Sequence, residues 1–167
     1  QATTEIFAGI GVGEVLKNLQ SRKIIFITDS MMRKVGLAEK IENILKSMNI
    51  QYEIFDGVEV DPSLESIRKA LDMVIDFSPE MIIALGGGST LDSAKAAAYF
   101  MKNTGKEIPV LAVPTTCGTG SEVTSYAVIT DRENNVKIPI KDDGMIPKIA
   151  VLDPEFTKTL PKVVVAE

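Results

Sequence analysis

Three consecutive glycines and a serine, Gly86 to Ser89, form the turn of this chain that is best suited to binding an anion. They follow an apolar run and precede an alanine-rich stretch, which places them between a predicted strand and a predicted helix. Glycine lets an anion approach the backbone closely, and a helix start offers N–H groups and a partial positive charge. Ser89 and Asp92 also have the spacing of a helix N-cap and its partner. We interpret Gly86 to Ser89 as a phosphate-binding turn; a tight turn without a ligand is the alternative.

A second loop, residues 113–125, is rich in hydroxyl side chains and follows another apolar run. Hydroxyl groups donate hydrogen bonds to phosphate and ribose oxygens without adding charge, so the loop is a second candidate for ligand binding. A solvated loop is the alternative. Cys117 lies within it, but a thiolate nucleophile needs a basic or cationic partner, and the sequence has no histidine. We therefore expect Cys117 to line the loop and not to act as a nucleophile.

Asp29 is the third candidate, because it directly follows the apolar run 23–28. An acid at the end of an early strand can accept hydrogen bonds from an adenosine ribose and repels a 2′-phosphate, which favours NAD over NADP. The alternative is that Asp29 only caps the turn that begins at Ser30.

The elements that position these residues follow from hydrophobic patterning. Short apolar runs alternate with amphipathic stretches, which predicts βαβ units and a parallel sheet of five or six strands with helices on both faces. The carboxyl ends of parallel strands share one edge, so the three candidate features are expected to lie together. Strands are predicted at 23–28, 51–55, 81–85, 110–113 and 149–152, helices over 37–48, from 61 and over 89–101, and a β-hairpin at 126–130 and 135–140.

Composition limits the classes of function. The 167 residues carry a net charge of −5, with a pI near 4.9, which argues against binding to nucleic acid or to an anionic membrane surface. The sequence has one cysteine, no apolar run long enough to span a bilayer and no signal-peptide pattern, so we predict a cytoplasmic protein. The absence of histidine removes the commonest general base and metal ligand. We expect neither a catalytic residue nor a metal site within this chain.

Two motifs together resemble the iron-containing (group III) alcohol dehydrogenases: GGGSxxDxxK over residues 86–95 and PTTxGTGSEVT over residues 114–124. The resemblance continues to the Leu-Pro pair at 160–161 and covers essentially the whole chain. It implies that residues 1–160 form a Rossmann-like, dehydroquinate synthase-like α/β domain with an added β-hairpin, which binds NAD(P). Residues 161–167 would then begin the first helix of an all-helical metal-binding domain that is missing here. We accordingly expect the chain to be part of a longer protein.

The resemblance also implies an activity, namely hydride transfer between a nicotinamide and a primary or secondary alcohol, aldehyde or ketone. The cofactor is expected to be NAD, with NADP less favoured, and Fe²⁺ or Zn²⁺ is expected in the full-length protein only. The implied partners are a small alcohol or aldehyde substrate and further copies of the same chain. This chain alone is expected to be inactive, because an aspartate and three histidines of the missing domain hold the metal in the family.

The resemblance assigns site residues along the length of the cofactor. Towards the pyrophosphate and the adenosine it places Gly87, Gly88, Ser89, Asp29, Thr115, Thr116, Thr119, Leu152 and Asp61, the last at a position where the family usually has asparagine. Towards the nicotinamide it places Asp92, Ser121 and Lys137.

Two other functions remain open at this point. Glycerol dehydrogenases and dehydroquinate synthases share the glycine turn but usually lack the full PTTxGTGSE stretch. A non-catalytic fragment that binds a nucleotide, or only a partner, is the other possibility, and the absence of histidine is what suggests it.

Overall fold

The computed structural model describes residues 3–116 and 120–157. Continuous apolar runs form the middle of a six-stranded, fully parallel sheet with the strand order β1-β8-β5-β4-β2-β3. Its strands are β1 (Glu5–Ala8), β2 (Lys23–Ile27), β3 (Gln51–Phe55), β4 (Met81–Gly86), β5 (Val110–Pro114) and β8 (Ile149–Leu152). Every residue of β4 and β5 is buried, which is why these strands read as continuous apolar runs.

Helices cover both faces of the sheet. They are α1 (Val12–Lys17), α2 (Ser30–Lys34), α3 (Leu37–Ser47), α4 (Leu64–Phe77), α5 (Gly88–Asn103) and α6 (Pro154–Thr157). Alternate side chains of β2 enter two separate cores: Ile24 and Phe26 pack with α1 to α3, whereas Ile25 and Ile27 pack with α4 and α5. The two cores follow from the period of two along a strand, which sends successive side chains to opposite faces.

An antiparallel β-hairpin of β6 (Tyr126–Asp131) and β7 (Val136–Lys141) lies outside the main sheet. Ile129 of β6 is buried in a small third core with Ile67 of α4 and Ala96 of α5. The hairpin therefore packs against α4 and α5, and α5 is the helix that follows the glycine turn.

The predicted fold class, a parallel α/β sheet with helices on both faces plus a hairpin, is confirmed. The bounds of β3 and β8 agree with the predicted ones. The helices α1 and α2 were not predicted, because stretches of six and five residues are too short to show a helical period. The predicted helix over 161–167 lies outside the described residues, and the domain boundary at 160 stays a prediction. In the described ranges no helix is long and apolar enough to cross a membrane.

Candidate functional site

The site lies where the connectivity of the sheet reverses. The chain leaves β2 towards β3 on one side and returns to β4 on the other, from which it continues to β5. This reversal opens a crevice between the carboxyl ends of β2 and β4, the position at which open α/β sheets bind ligands. Asp29 follows β2 and the glycine turn follows β4, so two of the predicted features meet at this crevice.

The turn between β4 and α5 needs glycine at its first position. Gly86 has φ +154°, and a Cβ added there would lie 2.6 Å from Thr90 Oγ1 and 3.1 Å from Asp29 Oδ2. The helix α5 begins at Gly88 with Gly87 as its N-cap residue, and no side chain caps it. The predicted capping box of Ser89 and Asp92 is wrong, because the helix starts before Ser89 and Ser89 already lies in its first turn. The N–H groups of that turn are left for water or a ligand.

Asp29 connects two elements through its two carboxylate oxygens. Oδ1 accepts a hydrogen bond from the Met32 N–H at 3.0 Å and caps α2, as the alternative interpretation predicted. Oδ2 accepts a hydrogen bond from Thr90 Oγ1 at 2.9 Å, which ties the end of β2 to the first turn of α5. The contact between Asp29 and a ribose stays a prediction.

A first cavity of about 320 Å³ opens at the crevice. The predicted residues on its lining are Asp29, Gly87, Gly88, Ser89, Thr115 and Thr116. Thr115 is buried and its N–H donates to the Gly86 carbonyl at 3.0 Å, which fixes the start of the hydroxyl-rich loop beside the glycine turn. Its Oγ1 is also buried and has no hydrogen-bond partner among the described residues.

A second cavity of about 530 Å³ lies between α5 and the hairpin. Asp61, Ser89, Asp92 and Lys137 line it, and Ser89 lines the first cavity as well. The two cavities therefore adjoin at the glycine turn. Lys137 Nζ lies 3.7 Å from Asp61 Oδ1, and both side chains are largely exposed.

A buried lysine, Lys95, fixes the segment that leads from the hydroxyl-rich loop to the hairpin. Its Nζ lies within 3.3 Å of the carbonyl and hydroxyl oxygens of Ser121 and Thr124, and 3.5 Å from Asp92 Oδ1. Ser121 Oγ in turn donates to Asp92 Oδ1 at 2.7 Å, and the Val128 N–H donates to Asp92 Oδ2 at 3.2 Å. Burial lowers the pKa of the Lys95 ammonium, and the Asp92 carboxylate opposes that shift.

This network changes the interpretation of two predicted residues. Asp92 lines the second cavity, but its carboxylate is also the acceptor that joins α5 to the hairpin. Ser121 is buried, and its hydroxyl donates to Asp92, which lines the cavity. Sequence reasoning missed the role of Lys95, although its spacing of three residues from Asp92 on one helix was a usable signal.

One described residue, Leu152, is not gathered with the other predicted site residues. Leu152 ends β8 with 37% of its surface exposed, and it lines neither of the two cavities. Thr119 lies outside the described residues. Within the described ranges, no three histidine, cysteine, aspartate or glutamate side chains come together in a way that holds a metal ion.

Fold and cavities together define the class: a doubly wound parallel α/β domain with a glycine turn and two adjoining cavities at the carboxyl edge of its sheet. A family model described as iron-containing alcohol dehydrogenase matches residues 5–154, and the chain belongs to this family.

Individual relatives agree with that assignment. The chain is 35% identical, over 174 residues, to the NADPH-dependent butanol dehydrogenase of Clostridium saccharobutylicum, with 94% of this chain and 45% of that protein covered. The structure of NADH-dependent butanol dehydrogenase A from Thermotoga maritima is similar with a TM-score of 0.87 and 29% identity, covering 99% of this chain and 46% of that one. Sulfoacetaldehyde reductase from Bifidobacterium kashiwanohense, solved in complex with NAD⁺, gives a TM-score of 0.86 and 27% identity over 98% and 48% of the two chains. The chain thus spans about half the length of these three relatives.

Proposed function

We propose that this chain is the NAD(P)-binding domain of a metal-dependent alcohol dehydrogenase, which transfers hydride between a nicotinamide and a small alcohol, aldehyde or ketone. The observation that supports this most directly is the pair of cavities that adjoin at Ser89, beside a glycine turn that opens a long helix. An extended ligand with a phosphate group in its middle matches this arrangement. Family membership supplies the reaction class.

The residues fit a dinucleotide at its centre. Gly87 and Gly88 carry no side chains that would keep a pyrophosphate from the N–H groups of α5, and Ser89 adds a hydroxyl to the same turn. Thr116, which also lines the first cavity, adds a further hydroxyl beside Gly87. These residues bind and orient the cofactor, and the hydride chemistry is that of the nicotinamide ring.

We propose that the adenosine half occupies the first cavity and that NAD is preferred over NADP. Asp29 and Glu59 both line this cavity, and two carboxylates repel the additional phosphate of NADP. The relatives differ on this point, since one is named as NADPH-dependent and another as NADH-dependent. Parallel titrations of the chain with NADH and NADPH test the preference, and an equal or lower Kd for NADPH would contradict it.

Binding itself is tested by titrating the folded chain with NADH and following the fluorescence of the nicotinamide. ADP-ribose, which has the adenosine and the pyrophosphate but no nicotinamide, is expected to compete. An absence of binding at millimolar NADH, in a sample with the circular dichroism of a folded α/β domain, would count against the proposed function.

We propose further that these residues do not catalyse turnover by themselves, because the metal ligands of the family lie outside them. Addition of Fe²⁺ or Zn²⁺ with NAD and a series of short alcohols should produce no NADH. Metal-dependent turnover by this chain would show that its residues contain the whole catalytic centre. We propose that a metal held by the full-length protein, iron or zinc, would supply polarisation of the oxygen of a small alcohol or aldehyde, and that the protein assembles as a homo-oligomer.

A further inference from the structure

Asp61 and Lys137 face each other beside the second cavity. Their charged atoms, Asp61 Oδ1 and Lys137 Nζ, are 3.7 Å apart, and the two side chains keep 63% and 67% of their surface exposed. Both residues line the cavity. An ion pair at this position therefore lies where a ligand enters.

The backbone holds the two residues opposite each other. Asp61 has φ +55° and precedes Pro62, whose carbonyl accepts a hydrogen bond from the Thr130 N–H at 2.8 Å. Thr130 is the cross-strand partner of Lys137 in the hairpin, and it also forms a β-bridge with Ser63. The turn that carries Asp61 is thus fastened to the rung of the hairpin that carries Lys137. These backbone contacts therefore keep the two side chains close to each other.

The charges around this cavity give Lys137 a particular importance. Among its lining residues Lys137 is the one cation, whereas Asp61 and Asp92 are acids. Asp92 already accepts hydrogen bonds from Ser121 Oγ and the Val128 N–H. An anionic group that enters the cavity is attracted by Lys137 and competes with Asp61 for its charge.

We propose that Asp61 acts through Lys137 to weaken the binding of the dinucleotide, so that removing the Asp61 charge strengthens binding. This inference rests on the proposed function, because it takes the pyrophosphate and the neighbouring ribose to lie within reach of Lys137. Asp61 is in this sense a positioning residue that limits how tightly the chain holds its cofactor. A cofactor that must leave after each hydride transfer is released faster when Lys137 has a competing partner.

The test compares the Kd for NADH of the chain and of Asp61→Asn at low ionic strength. Asparagine has the same shape and adopts positive φ readily, so the backbone of the turn is kept. The expected result is a Kd about two- to fivefold lower, the range for an exposed ion pair, with the difference fading as salt is raised towards 1 M. Asp61→Gly, which also tolerates φ +55°, should change the Kd in the same direction.

Glu65→Gln is the matched control. Glu65 is four residues further along the chain and forms a similar exposed pair with Lys69 at 3.9 Å, but it does not line the second cavity. Its substitution removes the same single charge, and the Kd for NADH should stay unchanged. If Glu65→Gln lowers the Kd as much as Asp61→Asn, the effect belongs to net charge and the inference is wrong.

A double-mutant cycle with Lys137→Met separates action through Lys137 from direct repulsion of the ligand. In the Lys137→Met background, Asp61→Asn should have no effect on the Kd. The inference is overturned if Asp61→Asn strengthens NADH binding equally with and without Lys137→Met, or if it strengthens binding in neither case. Either result leaves the proposed function intact. If neither the unmodified chain nor any of the variants binds NADH, the proposed function fails and this inference fails with it.

Discussion

Gly86 occupies a position at which the surrounding atoms leave no room for a side chain. A Cβ there would meet Thr90 Oγ1 at 2.6 Å and Asp29 Oδ2 at 3.1 Å, the two atoms that hydrogen-bond to each other across the crevice. We predict that Gly86→Ala destabilises the fold by about 1–3 kcal/mol and weakens NADH binding, because the turn must move to make room. Urea unfolding and the NADH titration measure the two effects.

Gly13→Ala is the control for this substitution. Gly13 lies inside α1, and a Cβ there makes only an ordinary contact with Ile44 at 3.7 Å. The change should be neutral or stabilise the fold by up to about 1 kcal/mol, since alanine is the better helix former. Equal stability of the two variants would show that the turn at Gly86 does not require glycine.

Tyr52 gives a prediction about pH. Its hydroxyl donates to Glu42 Oε1 at 2.9 Å, and Arg33 Nη1 lies 2.7 Å from the other carboxylate oxygen. Burial, followed by the hydrogen bond to Glu42 and the charge of Glu42, raises the pKa of Tyr52 from 10.0 to about 12, while Arg33 opposes the shift. Because the pKa in the folded state lies above the value in the unfolded state, this contribution to stability is intact below pH 10 and is lost as the pH rises towards 12.

Absorbance titrations of the chain and of Tyr52→Phe measure this pKa. Their difference should show one phenol that ionises near pH 12, and Glu42→Gln should lower that midpoint by removing the negative charge. A difference curve centred at the ordinary value of 10.0 would contradict the arrangement of these three side chains.

At the level of single residues, the sequence predicted where site residues lie better than it predicted their hydrogen-bond partners. Asp29, Gly87 and Thr115 meet at one edge because each follows a predicted strand, and parallel strands end together. The partners of Lys95 were beyond prediction, because Ser121 and Thr124 belong to a loop whose path no local pattern determines. The predicted capping box of Ser89 and Asp92 was wrong because the N-cap residue is Gly87, which has no capping side chain, and the helix begins before Ser89.

At the level of elements, Asp153 holds two helices with one side chain. Its Oδ2 accepts a hydrogen bond from the Val12 N–H at 3.1 Å, at the start of α1, and its Oδ1 accepts one from the Glu155 N–H at 3.0 Å in α6. We predict that Asp153→Ala lowers the free energy of unfolding by roughly 1–3 kcal/mol, because two helix ends lose their caps. Asp153→Asn keeps one acceptor oxygen, so its free energy of unfolding should lie between those of the unmodified chain and Asp153→Ala. Urea unfolding measures all three.

The same elements show what patterning predicts. The helices α3, α4 and α5 have eleven or more residues, long enough for apolar positions to recur with a helical period. The helix α1 has six residues and contains Gly13, so its sequence shows neither a helical period of apolar residues nor a high helix propensity. It forms because Val12, Val15 and Leu16 are buried in the first core and Asp153 caps it from the far end of the described chain.

At the level of the whole molecule, the topology brings distant segments together. The edge strand β1 pairs with β8, so that Glu5 is opposite Ile149. The strand order was not predictable from patterning, which predicts the number of strands and their direction but not which ones are neighbours. The reversal between β2 and β4 then places the first cavity, and the docked hairpin places the second.

A dinucleotide that spans both cavities should tie the hairpin to the main sheet. NADH at about 100 times its Kd is expected to stabilise the fold by about 2.7 kcal/mol, which raises the melting temperature of a chain of this size by roughly 5–10 °C. ADP at the same multiple of its own Kd should give a similar shift. Hydrogen exchange distinguishes the two ligands: NADH should slow the exchange of amides in residues 126–141, whereas ADP should protect mainly the start of α5, because it lacks the nicotinamide and its ribose. Equal protection of the hairpin by both ligands would show that the second cavity does not receive the nicotinamide half.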